Sequence, residues 1–124
     1  MKFNKLFIFI ITLLLLCGAE PDPSLVTIKG TITHPIGNAV SFVFQDASYD
    51  TTADENGDFE ISFLVESPNY LNFQHGVEST AMYVNPGDRI SLNIDTKQFD
   101  ETIMYKNSPE SSFLADKFLI NEGR

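Results

Sequence analysis

The sequence has one cysteine, no tryptophan and few basic residues, and these shortages exclude several classes of protein. Because Cys17 is the single cysteine among 124 residues, the chain forms neither an internal disulfide nor a Cys-x-x-Cys redox pair. Its 8 Lys and Arg stand against 17 Asp and Glu, which gives a formal charge of −9. Nucleic acids and anionic lipid surfaces are bound through clustered basic residues, so the composition argues against both as partners.

Long apolar runs are also scarce, and the one that exists lies near the N-terminus. Lys2 and Lys5 precede an apolar run over residues 6–16, which only Thr12 interrupts and which ends at Cys17. A bilayer-spanning helix needs ~20 apolar residues, so this run is too short to span. Its length and basic flank are typical of a secretory signal.

Residues 14–17, Leu-Leu-Leu-Cys, resemble a bacterial lipobox, in which an aliphatic residue and two smaller residues precede the acylated cysteine. Leu16 departs from that pattern, because Gly, Ala or Ser normally stands there. We therefore expect residues 1–17 to be a lipoprotein signal peptide and Cys17 to be the lipidation site. The alternatives are ordinary secretion with cleavage after Gly18 or Ala19, and an uncleaved anchor, which the short run disfavours.

The residues after Cys17 indicate a destination and a tether. Gly18 carries no charge that would retain a lipoprotein in the inner membrane, so we expect the outer membrane, on its periplasmic or surface face. Cleavage before Cys17 would remove Lys2 and Lys5 and no acid, which changes the formal charge from −9 to −11. Residues 18–24 combine two prolines, two acids and small residues, and this composition predicts a short tether.

From residue 25 onwards, apolar and polar residues alternate in short runs, which is typical of half-buried strands. Turn residues separate the runs, and the last strand is predicted at residues 99–105. Segment 25–107 is therefore predicted to be one all-β domain, an antiparallel β-sandwich of about seven or eight short strands. The apolar positions on which this alternation rests include Val26, Ile28, Ile32, Val40, Phe42, Phe59, Phe63, Leu71, Phe73, Ile90, Leu92 and Ile94.

Two turns have strong sequence signals. Asn56-Gly57 separates two strand-like runs and predicts a hairpin turn with positive φ at Gly57. Pro86 and Gly87, followed by Asp88, match the two central positions of a type II turn, in which the glycine has positive φ.

The final segment, 108–124, is predicted to begin a helix. Ser108 is a capping residue, Pro109 suits the first helical position, and Glu110 places an acid in the first turn. Phe113, Leu114, Phe118 and Ile120 then follow at helical spacing and predict an apolar stripe. We expect this helix to be either truncated or the start of a linker.

The order of these motifs resembles the β-sandwich domain, of DUF4369 type, that precedes thioredoxin-like domains in envelope lipoproteins of the TlpA type. The segments that carry the resemblance, across residues 25–120, are 28–32 (IKGTI), 53–59 (ADENGDF), 85–92 (NPGDRISL) and 105–108 (YKNS). The resemblance implies an accessory domain of a thiol-disulfide oxidoreductase, with a thioredoxin-like domain as a partner. No Cys-x-x-Cys is present in this chain, so no redox residue carries over.

No constellation of catalytic or metal-binding residues stands out, and we expect neither an enzyme nor a cofactor. Asp54, Asn56 and Asp58 are spaced like the start of a calcium loop, but the glycine and glutamate that an EF-hand requires are misplaced, which favours a plain turn. His34 and His75 are interpreted as loop histidines without a function.

The many phenylalanines allow two interpretations. They could line a ligand cleft, or they could form a packed core, which is favoured because there are many of them and no tryptophan. The residues concerned are Phe42, Phe44, Phe59, Phe63, Phe73 and Phe99.

The sequence thus favours a non-catalytic, membrane-anchored accessory or interaction domain of the bacterial cell envelope. The alternative is a small carbohydrate-binding or peptide-binding envelope lipoprotein that uses a sheet face or loops. An enzyme is the least favoured hypothesis.

Overall fold

The computed structural model of the chain describes residues 22–122. The expected signal segment with Cys17, and most of the tether, lie outside these residues. Within them the fold is an all-β sandwich that ends in a helix, so the predicted fold class is confirmed. The elements are β1 (Leu25–Thr33), β2 (Ala39–Val43), β3 (Ser48–Thr52), β4 (Asp58–Leu64), β5 (Asn69–His75), β6 (Glu78–Val84), β7 (Arg89–Asp95), a 3₁₀ turn (Thr96–Gln98), α1 (Phe99–Thr102), β8 (Met104–Lys106) and α2 (Pro109–Glu122).

The eight strands form two four-stranded sheets. Sheet A has the strand order β4-β1-β7-β8, and sheet B has the order β3-β2-β5-β6. Successive side chains of a strand point to opposite faces, so each strand sends every second residue into the space between the sheets. The core between the two inner faces is built from Val26, Ile28, Ile32, Val40, Phe42, Phe44, Phe59, Phe63, Leu71, Phe73, Met82, Val84, Ile90, Leu92, Ile94 and Phe99.

One central pairing differs from the antiparallel pattern that the sequence predicted. β1 pairs with β7 in parallel, from Thr27↔Arg89 to Thr33↔Asp95, whereas the other strand pairs among the described residues are antiparallel. Gly30 lies on this seam, and a Cβ there would meet the backbone oxygen of Leu92 at 2.1 Å. A glycine at this position therefore permits the close approach of the two strands.

The expected hairpin at Asn56-Gly57 is wrong in its partners, although the turn exists. β3 pairs with β2 in sheet B and β4 pairs with β1 in sheet A, so residues 53–57 cross between the two sheets. Gly57 has φ +83°, and its carbonyl accepts the N–H of Ile32 at 2.8 Å. The Asp54 carboxylate accepts the backbone N–H groups of Asn56 and Asp58 and thereby fixes the turn.

The Pro86-Gly87 turn also crosses between the sheets, from β6 to β7. Gly87 has φ +83°, as the type II pattern requires. The carboxylate of Asp88 accepts the N–H of Asn85 at 2.8 Å, and the Asp88 carbonyl accepts the N–H of Thr27 at 2.9 Å. The turn is therefore attached to the first strand.

The prediction of a strand over residues 99–105 is wrong for its first half. Residues Phe99–Thr102 form the short helix α1, and β8 begins at Met104. Asp95 explains the change, because its carboxylate accepts the N–H of Lys97 and starts a helical turn immediately before Phe99. The Thr102 hydroxyl then accepts the N–H of Asp95 and closes the turn.

Candidate functional site

The C-terminal helix α2 is attached to the sandwich through small polar residues. The Ser111 hydroxyl accepts the backbone N–H of Tyr83 at 3.0 Å and donates to the Tyr83 carbonyl at 3.1 Å. Ser108 caps the helix and donates to the Ser111 hydroxyl at 2.8 Å. These bonds satisfy backbone groups at the outer edge of β6, which would otherwise be open to another strand. Ala115, one turn further on, is also buried.

This attachment leaves most of the predicted apolar stripe exposed. Ser111 and Ala115 face the sandwich, so residues on the opposite side of the helix face the solvent. Phe113 is 64 % exposed and Ile120 is 63 % exposed. Phe118 is also exposed, and Leu114 is half-buried. The stripe therefore does not contribute to the hydrophobic core.

A groove of about 650 Å³ lies between this exposed helix face and the outer face of sheet B. We call it the α2 groove. Tyr70 of β5 and Tyr83 of β6 form one wall, and their rings meet edge to face with centroids 4.9 Å apart. Tyr70 is 62 % exposed. The lining residues are Tyr70, Tyr83, Asn85, Pro109, Glu110, Phe113, Leu114 and Lys117.

Polar groups are placed at defined points of the α2 groove. The Asn85 side-chain amide donates to the Glu110 carboxylate at 2.9 Å, which links the β6–β7 turn to the first turn of α2. Lys117 lies two helical turns after Glu110, on the same side of α2. The groove thus combines aromatic and aliphatic surface with one carboxylate, one ammonium group and one amide, a composition typical of binding sites.

No protein-family model, curated protein or solved structure matches this chain. The resemblance to the DUF4369-type domain therefore remains a prediction from its strand and turn motifs.

A second depression, on sheet A, is less suited to an organic ligand. It has a volume of about 670 Å³ and lies on the outer face of sheet A. Its charged residues occupy neighbouring strand positions, with Lys29 opposite Glu60, and the Thr31 hydroxyl donates to the Asp58 carboxylate at 2.6 Å. Lys106 on β8 completes the charged lining. This arrangement is that of a solvated polar sheet face.

The two histidines have structural positions. His75 is buried, although it was expected to be a loop residue, and both of its ring nitrogens are hydrogen-bonded. His34, in an exposed turn, places Nδ1 2.9 Å from the Asp95 carboxylate. This hydrogen bond is the main reason why the pKa of Asp95 lies below its ordinary value, and the hydrogen bond from the backbone N–H of Lys97 is the second.

The acidic turn considered as a calcium loop is occupied by internal hydrogen bonds. Asp54 accepts backbone N–H groups, and Asp58 accepts the Thr31 hydroxyl. Across residues 22–122, no group of three or more His, Cys, Asp or Glu side chains is arranged to hold a metal ion. The same residues include no helix that is long and apolar enough to cross a membrane.

The phenylalanines that could have lined a cleft form the core instead, so the cleft interpretation is wrong for them. Phe42, Phe59 and Phe73 are buried and pack on one another with centroids between 5.5 and 6.3 Å apart. The Tyr105 side chain also packs towards this core from β8, and burial raises its pKa.

Sequence reasoning missed the contact between Tyr70 and Tyr83, although a signal for this aromatic pair existed. Gly76-Val77 is a two-residue loop between β5 and β6, and it sets the register His75↔Glu78. Counting outwards from that loop pairs Tyr70 with Tyr83 on the solvent face. Recognition of this hairpin in the sequence would have revealed the aromatic pair.

Proposed function

We propose that this chain is a non-catalytic, lipid-anchored interaction domain of the bacterial cell envelope, with the α2 groove as its docking surface. The observation that carries the proposal is the exposure of Tyr70 and Phe113 on facing walls of one groove. Exposed aromatic side chains that converge in a concave site are favourable anchors, because a partner that covers them gains their full burial energy.

The attachment of α2 supports a preformed groove. Ser111 binds both backbone groups of Tyr83, and Asn85 binds Glu110, so the helix is held to the sheet at both sides of its first turn. A partner would therefore meet walls that are already in place, which lowers the entropy lost on binding.

The anchor forms a separate part of the proposal, because it rests on residues 1–24 alone. Acylation of Cys17 would tether the sandwich through the segment 18–24 and leave the α2 groove accessible from the envelope compartment. Mass spectrometry of the protein isolated from envelopes should show a lipid-modified Cys17 at the N-terminus. A lipid-free product that begins at Ala19 or Glu20 would rule out this part and leave the docking surface untouched.

Site-specific photo-crosslinking tests the docking surface in the native envelope. A benzophenone amino acid is placed at Tyr70 or at Phe113, and Leu64 serves as an exposed control position on sheet A. We expect discrete crosslinked species from both groove positions and none from Leu64. Absence of adducts at both groove positions, or the same adducts from Leu64, would contradict the proposal.

A thioredoxin-like domain is the partner that the family resemblance suggests. Its adduct would be identified by peptides that carry a Cys-x-x-Cys motif.

Carbohydrate binding is the second candidate function, and the Tyr70–Tyr83 pair favours it. Sugar rings stack on exposed aromatic faces, and Asn85, Glu110 and Lys117 could bind their hydroxyl groups. Calorimetric titration with envelope oligosaccharides, in the native chain and in Tyr70→Ala, tests this function. Heats that are absent, or that the substitution leaves unchanged, would exclude it.

A further inference from the structure

The exposed face of α2 has a charge order that is complementary to itself. Four residues lie on one side of this helix, because the other three are three, four and seven positions from Glu110. They are Glu110, Phe113, Leu114 and Lys117. All four line the α2 groove. An acid thus stands at one end of an apolar pair and a base at the other.

We propose that the occupant of the α2 groove is the α2 helix of a second copy of this chain, packed antiparallel about a two-fold axis. The inference rests on the proposed function of the groove and names its partner. When Glu110 is set opposite Lys117 of the second copy, Lys117 is opposite Glu110 of that copy by symmetry. The same register places Phe113 opposite Leu114 of the second copy.

The charge order selects this arrangement over the parallel one. In a parallel pair, Glu110 would face Glu110 and Lys117 would face Lys117, which places like charges together at both ends. The antiparallel pair replaces both repulsions with attractions. A two-fold interface also buries the same patch on both copies, so Phe113 is covered on each.

The surroundings of the helix add apolar surface to the contact. Tyr70, on the wall opposite Phe113, is itself largely exposed, and Ile120 extends the exposed side of α2 by one turn. Because Ser111 and Ala115 face the sandwich, the helix can pair without leaving its own domain.

Charge reversal provides a direct test by sedimentation equilibrium of the full chain in a density-matched detergent. The native chain should form dimers in a concentration-dependent manner. Glu110→Lys alone and Lys117→Glu alone should each weaken the dimer roughly tenfold or more, because each places two like-charged pairs across the interface. The double reversal should restore most of the affinity, and Asn85→Ala, which removes the hydrogen bond to Glu110 but no charge, measures what the loss of that bond contributes.

A mixture of the two single variants gives a second, independent readout. One variant then presents two bases and the other two acids, so a heterodimer should form although neither variant pairs with itself. Lys97→Glu and Glu101→Lys, at exposed positions outside the groove, are matched controls for net charge and should leave the dimer unchanged. Circular dichroism of every variant establishes that the fold is retained.

The possible failures are distinct from one another. A native chain that stays monomeric overturns the dimer, and so does a dimer that the single reversals leave intact or that the double reversal does not restore. In the photo-crosslinking experiment, an adduct at twice the mass of the chain supports the dimer. Adducts of another mass alone would overturn the second copy as the occupant while the proposed docking function stands.

Discussion

The ring nitrogen Nε2 of His75 accepts the backbone N–H of Ile36 at 2.9 Å. The other nitrogen, Nδ1, lies 2.8 Å from the carbonyl oxygen of Ala39 and must donate to it, because a carbonyl can only accept. The two bonds join the β1–β2 turn to the end of β5 and specify a neutral ring with its proton on Nδ1.

Replacement of His75 by alanine should therefore destabilise the domain. The change leaves two backbone groups without partners, and we expect a loss of about 1–3 kcal/mol in the free energy of unfolding. Urea denaturation measures it, with Gln74→Ala, at the exposed neighbouring position of β5, as the control. Nitrogen NMR of the native ring should show the Nδ1–H tautomer, and the opposite tautomer would contradict the assignment.

A comparison of Gly57 with Gly37 separates the cost of a positive φ from the cost of a steric clash. Both have positive φ, but a Cβ at Gly57 would meet the Ile32 carbonyl oxygen at 2.0 Å, whereas one at Gly37 would meet nothing within 4 Å. Gly37→Ala should cost about 1 kcal/mol from its backbone conformation alone. Gly57→Ala should cost about 3 kcal/mol or more, because the clash adds to that strain. Equal losses in melting experiments would show that the Ile32 contact is unimportant.

Asp95 should make the domain sensitive to acid. Its pKa is lowered in the folded state, so its contribution to stability is complete above the unfolded value, about 3.9, and is lost as the pH falls through the folded pKa. An NMR titration should find a carboxyl pKa below the ordinary value, and His34→Ala should raise it. An unchanged pKa in that variant would disprove the role of His34.

Asp100 differs from Asp95, because its pKa is raised and its charged form therefore lowers the stability of the domain at neutral pH. Burial, and then the charge of Glu101, raise its pKa, which disfavours the charged carboxylate in the folded state. Asp100→Asn should therefore unfold at the same or a higher urea concentration than the native chain at pH 7. Asp46→Asn, in an exposed loop, is the control for the loss of one negative charge. A lower midpoint for Asp100→Asn alone would refute this assignment.

Ser111 should control the attachment of α2. Ser111→Ala leaves the N–H of Tyr83 without its side-chain partner and leaves the Tyr83 carbonyl with the Ser108 hydroxyl alone, at 3.3 Å. We expect faster amide hydrogen exchange at Tyr83 and over residues 109–120. A local loss of about 1–3 kcal/mol corresponds to exchange that is faster by one to two orders of magnitude. Ser112→Ala, which removes a neighbouring hydroxyl, should leave the exchange nearly unchanged. Equal protection in both variants would refute the edge-capping role.

Much of the fold could be predicted because strands are specified by local alternation. Val26, Ile28 and Ile32 are buried on one face of β1, and Leu71 and Phe73 are buried on one face of β5, as their spacing indicates. The turn at Gly57 was also visible in the sequence. Its partners were not, because the choice between a hairpin and a crossing between sheets depends on the pairing of distant strands.

The candidate site was harder to predict for a physical reason. Phe113 and Ile120 were predicted to belong to an apolar stripe, but the stripe did not show which side of α2 packs on the sandwich, although burial of apolar surface normally orients a helix. Here the helix packs on an open strand edge, whose backbone groups require hydrogen-bonding partners, and Ser108 and Ser111 supply them. The chemistry of the strand edge therefore determined which side of α2 faces inwards.

The parallel pairing of β1 with β7 also has a consequence for the order of folding. Among the strands of residues 22–122, β1 is the first to be made and lies inside sheet A, and its neighbour β7 is among the last. Contacts between residues so distant in sequence form slowly, because a long loop must close before they contribute. Sheet A should therefore stay incomplete until β7 has been synthesised, and the core between the two sheets should close in a late step. Under the proposed export to the envelope, such late completion of the core would leave the chain extended while it crosses the membrane.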